Sequence, residues 1–345
     1  MPAGIELFVP GRLCLFGEHS DWAGEYRKTD PSVKTGLCIV AGTDQGIHAV
    51  AEPAERGFHI SQILPDGSRG PVASYPSEPG ALERVARTGV FDAYAAGTAS
   101  QVLRRYPDLG LRLTVTSRSL PLKKGLSSSA AICVLTVRAF SRAHSLDLPV
   151  EEEMELAYRG ELLTGSHCGR MDQACAWGVD PVLLTFDGDE MTTRLLLPGV
   201  PLHFLIVDLN GRKNTRRILD GLNSAFAGGN PSVRKALGEE NHRIVRLACR
   251  AIERGDARTV GELMTEAQAV FDAMVAPACP SELRAPGLHD ILAVPAAKKL
   301  AWGGKGVGSQ GDGTAQFLCR GRAERDELAA SLRTDNGRKC YPLTI

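Results

Sequence analysis

An α+β fold in two domains is what this chain predicts, and three observations carry the prediction. Its 345 residues suffice for more than one hydrophobic core. Short β-like runs separated by Gly, Pro and Asp dominate the first part, whereas helical stretches prevail from Arg216 onward. Between these regimes, residues 187–200 place Asp187-Gly188-Asp189 and Pro198-Gly199 around a short strand, a shift in composition that marks a boundary. Domains are therefore expected at residues 1–195 and 196–345.

The early strands are expected at Ile5 to Val9, Leu13 to Phe16, Leu37 to Ala41, Gly46 to Ala51 and Leu111 to Ser117. In the last of these, Leu111, Leu113, Val115 and Ser117 alternate with Arg112, Thr114, Thr116 and Arg118, as a sheet with one solvated face requires. Pro65 to Gly80, rich in Pro, Gly and Ser, reads as a surface loop. Ala130 to Phe140 is apolar on nearly all sides, which predicts a buried helix. Glu151 to Thr164 follows as an amphipathic helix whose acidic first turn complements the helix dipole. Beyond the boundary come a strand at Leu202 to Leu209 and helices near Arg216 to Phe226, Ser232 to Arg254 and Arg258 to Met274.

Composition narrows the class of function. Forty basic residues balance forty acidic ones, so no overall field draws the chain to nucleic acid or to an anionic membrane. Nine cysteines without a CxxC pair suit reduced thiols in a cytoplasmic protein better than a disulfide framework or a structural zinc site. The opening Met1-Pro2-Ala3-Gly4-Ile5-Glu6 has neither the basic nor the apolar region of a signal peptide. No apolar run reaches the length of about 18 residues that a membrane span needs. His48, His59, His144, His203, His242 and His289 show no metal-ligand spacing. The expectation is a cytoplasmic enzyme acting on a small molecule.

The chemistry concentrates in three segments. Gly125-Leu126-Ser127-Ser128-Ser129-Ala130-Ala131 puts a Gly/Ser turn at the start of the buried helix. Unpaired N–H groups and the helix dipole make such a turn a phosphate cradle, and an ordinary N-cap is the plainer reading. Near the N-terminus stands Pro10-Gly11-Arg12-Leu13-Cys14-Leu15-Phe16-Gly17-Glu18-His19-Ser20-Asp21. Near the C-terminus, Gly303 to Gly313 has glycine at six of its eleven positions, a density that lets backbone pass close to a ligand or a neighbouring loop.

Together, in this order and spacing, the three segments resemble the signature motifs of the GHMP kinases, the family of galactokinase, homoserine kinase, mevalonate kinase and phosphomevalonate kinase. The resemblance implies a ribosomal-protein-S5-like N-terminal domain and a ferredoxin-like C-terminal domain. It also implies ATP and Mg2+ as cofactors. Gly125, Leu126, Ser127, Ser128, Ser129 and Ala130 would then wrap the ATP phosphates, and Gly306, Gly308 and Gly311 would support that loop. Ser128, Ser129 and Glu161 are the implied magnesium ligands, hard oxygens of the kind this ion prefers. Gly is the family's usual residue where Ser127 stands, and glycine is likewise commoner where Gln310 and Asp312 stand.

Asp172, in Cys168-Gly169-Arg170-Met171-Asp172-Gln173, resembles the galactokinase aspartate that faces the attacking sugar hydroxyl, a place where a carboxylate orients the nucleophile and accepts its proton. Arg12 resembles the basic residue near the transferred phosphate. Glu18, His19 and Asp21 match the galactokinase-type Glu-His-x-Asp that holds sugar hydroxyls. The implied reaction is transfer of the γ-phosphoryl of ATP to a monosaccharide hydroxyl, the anomeric one by analogy with galactokinase. A uronic acid is among the candidate acceptors because of Arg12, Lys213 and Arg216, the latter two in the basic cluster Arg212 to Arg217. A mevalonate-type alcohol kinase and a non-catalytic sensor of sugar and ATP are the alternatives. Where galactokinase passes quickly from Asp-Tyr to a strand, this chain has Asp21-Trp22 and a polar insert from Glu25 to Thr35.

Overall fold

The computed structural model describes residues 4–64, 66–90, 92–120, 125–211 and 213–345. The described chain packs into two compact units. One combines the segment ending at Arg12 with Gly42–Val179, and the other combines Leu13–Ala41 with Asp180–Ile345. The sequence-expected break at 195/196 thus falls inside the second unit, and the long strands β1 (Ile5–Phe16) and β2 (Gly36–Ala54) each run through both. Each of these two strands joins two runs read separately in the sequence. In β1 the joining residues are Pro10, Gly11 and Arg12.

In the first unit, the second half of β2 pairs antiparallel with β5 (Gly110–Arg118), and β5 pairs in parallel with β3 (Phe58–Gln62). β4 (Ala73–Tyr75) closes the edge against β3, with Phe58 opposite Tyr75. The stretch from Pro65 to Gly80 is therefore not all loop: it contains β4 and the start of the helix Pro79–Ala86. Pro65 itself lies outside the described residues. A three-residue strand is too short for alternation to register. The helix Ala93–Arg105, absent from the sequence reading, is built largely of Ala, Gly, Ser and Thr, so few large apolar side chains mark its buried face. Its small residues serve close packing instead. A Cβ on Gly97 would lie 2.4 Å from the carbonyl oxygen of Gly160 in the helix Val150–Leu162. The buried helix arrives as Ser128–His144.

In the second unit, the first half of β2 pairs with β6 (Val182–Asp187), which turns through Gly188 into β7 (Glu190–Leu195). A separate antiparallel sheet has the order β11-β8-β10-β9, formed by β8 (His203–Asp208), β9 (Ala301–Gly306), β10 (Thr314–Cys319) and β11 (Cys340–Thr344). Leu205, Val207, Phe317, Leu288, Ile291 and Leu328 form the core beneath it. A second cluster, with Ala23, Ile218, Leu222, Phe226, Phe271 and Val275, holds the short helix Ser20–Glu25 in place, with Trp22 and Tyr26 packed against it. The helices Thr215–Ala227 and Ala257–Met274 lie where expected, whereas the stretch from Ser232 to Arg254 is interrupted by a π-helical turn at Ala236–Glu240. The α+β class holds. Among the described residues, no helix is long and apolar enough to cross a membrane.

Candidate functional site

The Gly/Ser turn expected to hold phosphate lies in the first unit. Gly125 has φ 77° and Ser127 has φ 52° and ψ 51°, so Ser127 takes the left-handed conformation that glycine enters freely and serine does not. The chain keeps the expected path of the turn without the glycine. Ser127 makes no side-chain cap, which leaves the first-turn N–H groups of the helix Ser128–His144 without that acceptor. The plain N-cap reading of this serine is not realised. β1 approaches closely because residue 11 is glycine: a Cβ there would lie 2.9 Å from the Leu126 carbonyl oxygen. The Arg12 N–H donates to that same carbonyl at 3.0 Å.

This approach delivers the Arg12 side chain to Asp172. One guanidinium nitrogen, Nη2, pairs with Asp172 Oδ1, and Ser127 Oγ donates to the same oxygen at 2.9 Å. Arg12 is almost wholly buried at 4% exposure, yet its Nε and Nη1 have no hydrogen-bond partner among the described residues. Buried donors are nearly always satisfied, so a buried cation with donors to spare is a feature made to receive an acceptor. Sequence reasoning named Arg12 and Asp172 separately. Their pairing, and the part of Ser127 in it, it did not foresee.

Glu161 sits near the end of the helix Val150–Leu162 and is buried at 1% exposure. It accepts from Gln173 Nε2 at 2.9 Å and from Ser166 Oγ at 3.3 Å, and it is hydrogen-bonded to Ser129. Burial raises its pKa, and these hydrogen bonds pull it back down. A carboxylate and a serine hydroxyl side by side form a hard-oxygen pair of the kind magnesium takes while keeping phosphate oxygens and water as its other ligands. Among the described residues no group of three or more His, Cys, Asp or Glu is arranged to hold a metal, so an all-protein cage is not formed.

The residues expected to bind the acceptor lie in the second unit. Glu18 is buried and forms an ion pair with Lys305 of β9, whose Nζ also donates to the Gly306 carbonyl at 3.1 Å. Lys305 is the buried partner of Glu18 that the sequence reading passed over. The available signal was a lysine inside a glycine-rich strand, where an unpaired charge would not be tolerated. Asp21, in the helix Ser20–Glu25, is buried at 4% exposure. The glycine-rich segment turns through Gly308, Gln310 and Gly311, all with positive φ, so Gln310 adopts what glycine would have given, as Ser127 does. Gly306 N–H donates to Gln268 Oε1 at 2.8 Å, and Asp312 Oδ1 accepts from Leu288 N–H at 2.8 Å.

The basic cluster divides. Arg212 lies outside the described residues. Lys213 Nζ donates to the Gln310 carbonyl at 2.7 Å and so fastens the glycine-rich segment. Asn214 caps the helix Thr215–Ala227 by accepting from Arg217 N–H at 3.0 Å, and Arg216 and Arg217 line an open groove with Asp220 and Ser281.

His19 is fully enclosed. Its Nδ1 accepts from Trp22 Nε1 at 3.1 Å, and because an indole only donates, the neutral ring must carry its proton on Nε2. Burial, with help from Lys213 and Lys305, pushes its pKa down to about 3 from 6.5. The unfolded chain takes up this proton below about pH 6.5 and the folded chain does not until about pH 3. The stability contribution is therefore complete above 6.5 and is lost as pH falls, at about 1.4 kcal/mol per pH unit. His19→Asn tolerates the left-handed backbone and is expected to flatten that slope between pH 6 and 4, read by urea denaturation at each pH. An unchanged slope assigns it to other groups.

Residues 93–178 match the family described as "GHMP kinases N terminal domain". The chain is 25% identical over 273 residues to the mevalonate kinase of Aeropyrum pernix, covering 77% of this chain and 76% of that protein. It is also 25% identical over 292 residues to the galactokinase of Thermotoga petrophila, covering 75% of each. Lactococcus lactis galactokinase complexed with galactose shares the fold with a TM-score of 0.72 at 20% identity, over 99% of this chain and 93% of that one.

Proposed function

We propose that this chain, which has a GHMP kinase N-terminal domain and relatives among the mevalonate kinases and galactokinases, is an ATP-dependent kinase whose acceptor is a monosaccharide hydroxyl, with the anomeric hydroxyl as the first candidate. One observation carries the reading. Buried Arg12 is paired with Asp172 beside the turn at Gly125–Ser129, and its Nε and Nη1 have no partner among the described residues. The backbone of Gly125, Leu126, Ser127, Ser128, Ser129 and Ala130 would hold the phosphates, with Gly306, Gly308 and Gly311 in the supporting segment. Glu161, Ser128 and Ser129 would hold magnesium, which when bound offsets phosphate charge. In the transfer, the acceptor oxygen bonds to the γ-phosphorus as the bond to the β–γ bridging oxygen breaks and ADP leaves. Asp172 Oδ1 already takes two donors, so Oδ2 is the atom that receives the hydroxyl proton. The free donors of Arg12 offset charge on the phosphoryl group in flight.

The acceptor is the open element. The Aeropyrum pernix relative favours a second reading as a mevalonate-type alcohol kinase, and Asp21 discriminates. If the acceptor is a sugar held through its hydroxyls, Asp21→Ala removes a charged hydrogen-bond partner and is expected to raise the acceptor KM about ten- to a hundredfold with the ATP KM unchanged. ADP release would be screened first against neutral aldoses, uronic acids, inositols and mevalonate. Turnover with mevalonate alone moves the function to the second reading. Nucleotide and sugar binding without ADP release would make the chain a sensor.

A further inference from the structure

Ser127 stands in the phosphate turn, where its expected work is to present backbone and hydroxyl to nucleotide. Its geometry gives the side chain another task. The residue is held at φ 52° and ψ 51°, a conformation that costs a non-glycine residue of order 1 kcal/mol. Its hydroxyl does not recover that cost by capping the helix it precedes. Instead Oγ donates to Asp172 Oδ1 at 2.9 Å, across 45 residues of sequence. The Arg12 guanidinium takes the same oxygen, and the Arg12 backbone N–H is tied to the carbonyl of Leu126, the residue before Ser127.

Resting on the reading of Asp172 as the group that faces the acceptor hydroxyl, we propose that the Ser127 side chain positions that carboxylate rather than binding the nucleotide, which the backbone of the turn would hold. Two donors converging on Oδ1 fix the rotation of the carboxylate, so that Oδ2 faces the reacting hydroxyl. Because Ser127 belongs to the phosphate turn itself, the path of that turn and the aim of the carboxylate are set by one residue. Arg12 alone would hold the carboxylate from one side. Glycine at 127 would preserve the turn and lose the second hold.

The test is Ser127→Gly, which removes the hydroxyl and relieves the left-handed strain, with Ser127→Ala as a second variant lacking the hydroxyl. Steady-state kinetics would be run below the melting temperature of each protein. Both variants are expected to lose about tenfold in kcat with the ATP KM within twofold. In an Asp172→Asn background, where the charge to be aimed is gone, Ser127→Gly is expected to cost little more. A raised ATP KM at unchanged kcat returns Ser127 to the nucleotide, and a full tenfold loss in the Asn background refutes the coupling. If Asp172→Asn itself turned over like wild type, the reading of Asp172 would fall. Inactive Asp172→Asn beside a wild-type-like Ser127→Gly overturns the inference alone.

Discussion

Asp172→Asn is expected to lower kcat by roughly 10²-fold or more while leaving the ATP KM within a few fold. The substitution keeps the shape of the side chain and its capacity to accept from Ser127, but removes the charge that pairs with Arg12 and the basicity that takes a proton. Because Arg12 is buried, it would lose its counter-charge in a site that water barely reaches. A drop in melting temperature therefore accompanies the kinetic loss. Kinetics measured well below the melting temperature separate the two effects. Saturating MgATP with a normal ATP KM and vanishing ADP release is the expected signature. A kcat close to wild type would place the proton acceptor elsewhere and leave the Arg12–Asp172 pair as a structural ion pair.

Lys305→Met is expected to destabilise the second unit strongly. Lys305 is 1% exposed and its partner Glu18 is scarcely more accessible, so removing the cation strands a carboxylate in the interior. Breaking one side of such a pair costs about 3–5 kcal/mol, much of it the desolvation of the charge left behind. Neutralising that charge as well offsets the loss. Lys305→Met combined with Glu18→Gln is expected to recover a large part of the stability lost by Lys305→Met alone, as measured by urea denaturation. The kinetic readout is independent. If Glu18 holds acceptor hydroxyls and Lys305 aims it, the double variant regains stability but keeps a raised acceptor KM. Recovery of both would reduce the pair to a structural role. A single-variant loss under 1 kcal/mol would mean that the pair is solvated in solution.

Local chemistry was legible in the chain itself. The buried helix at Ser128–His144 follows from an all-round apolar stretch, and the turn before it from Gly and Ser, because periodicity and helix-start chemistry act within a few residues. The same locality explains the acidic start of the helix Val150–Leu162 and the strand at β8. What these signals do not reach is pairing across sequence. Arg12 and Asp172 are 160 positions apart and Glu18 and Lys305 are 287 apart, and no periodicity connects them. Residue type alone permits Glu18 a solvated surface role as readily as a buried ion pair. Burial chooses between them, and burial is a property of the packed chain. Backbone shape was decided the same way. Ser127 and Gln310 have an intrinsic preference against positive φ, yet both adopt it, because tertiary packing and hydrogen bonds outweigh a local cost of about 1 kcal/mol. The chain by itself determined the local helices and turns and the candidate residues they present; the tertiary structure alone decided which charges meet, since only folding removes the water that would otherwise keep them apart.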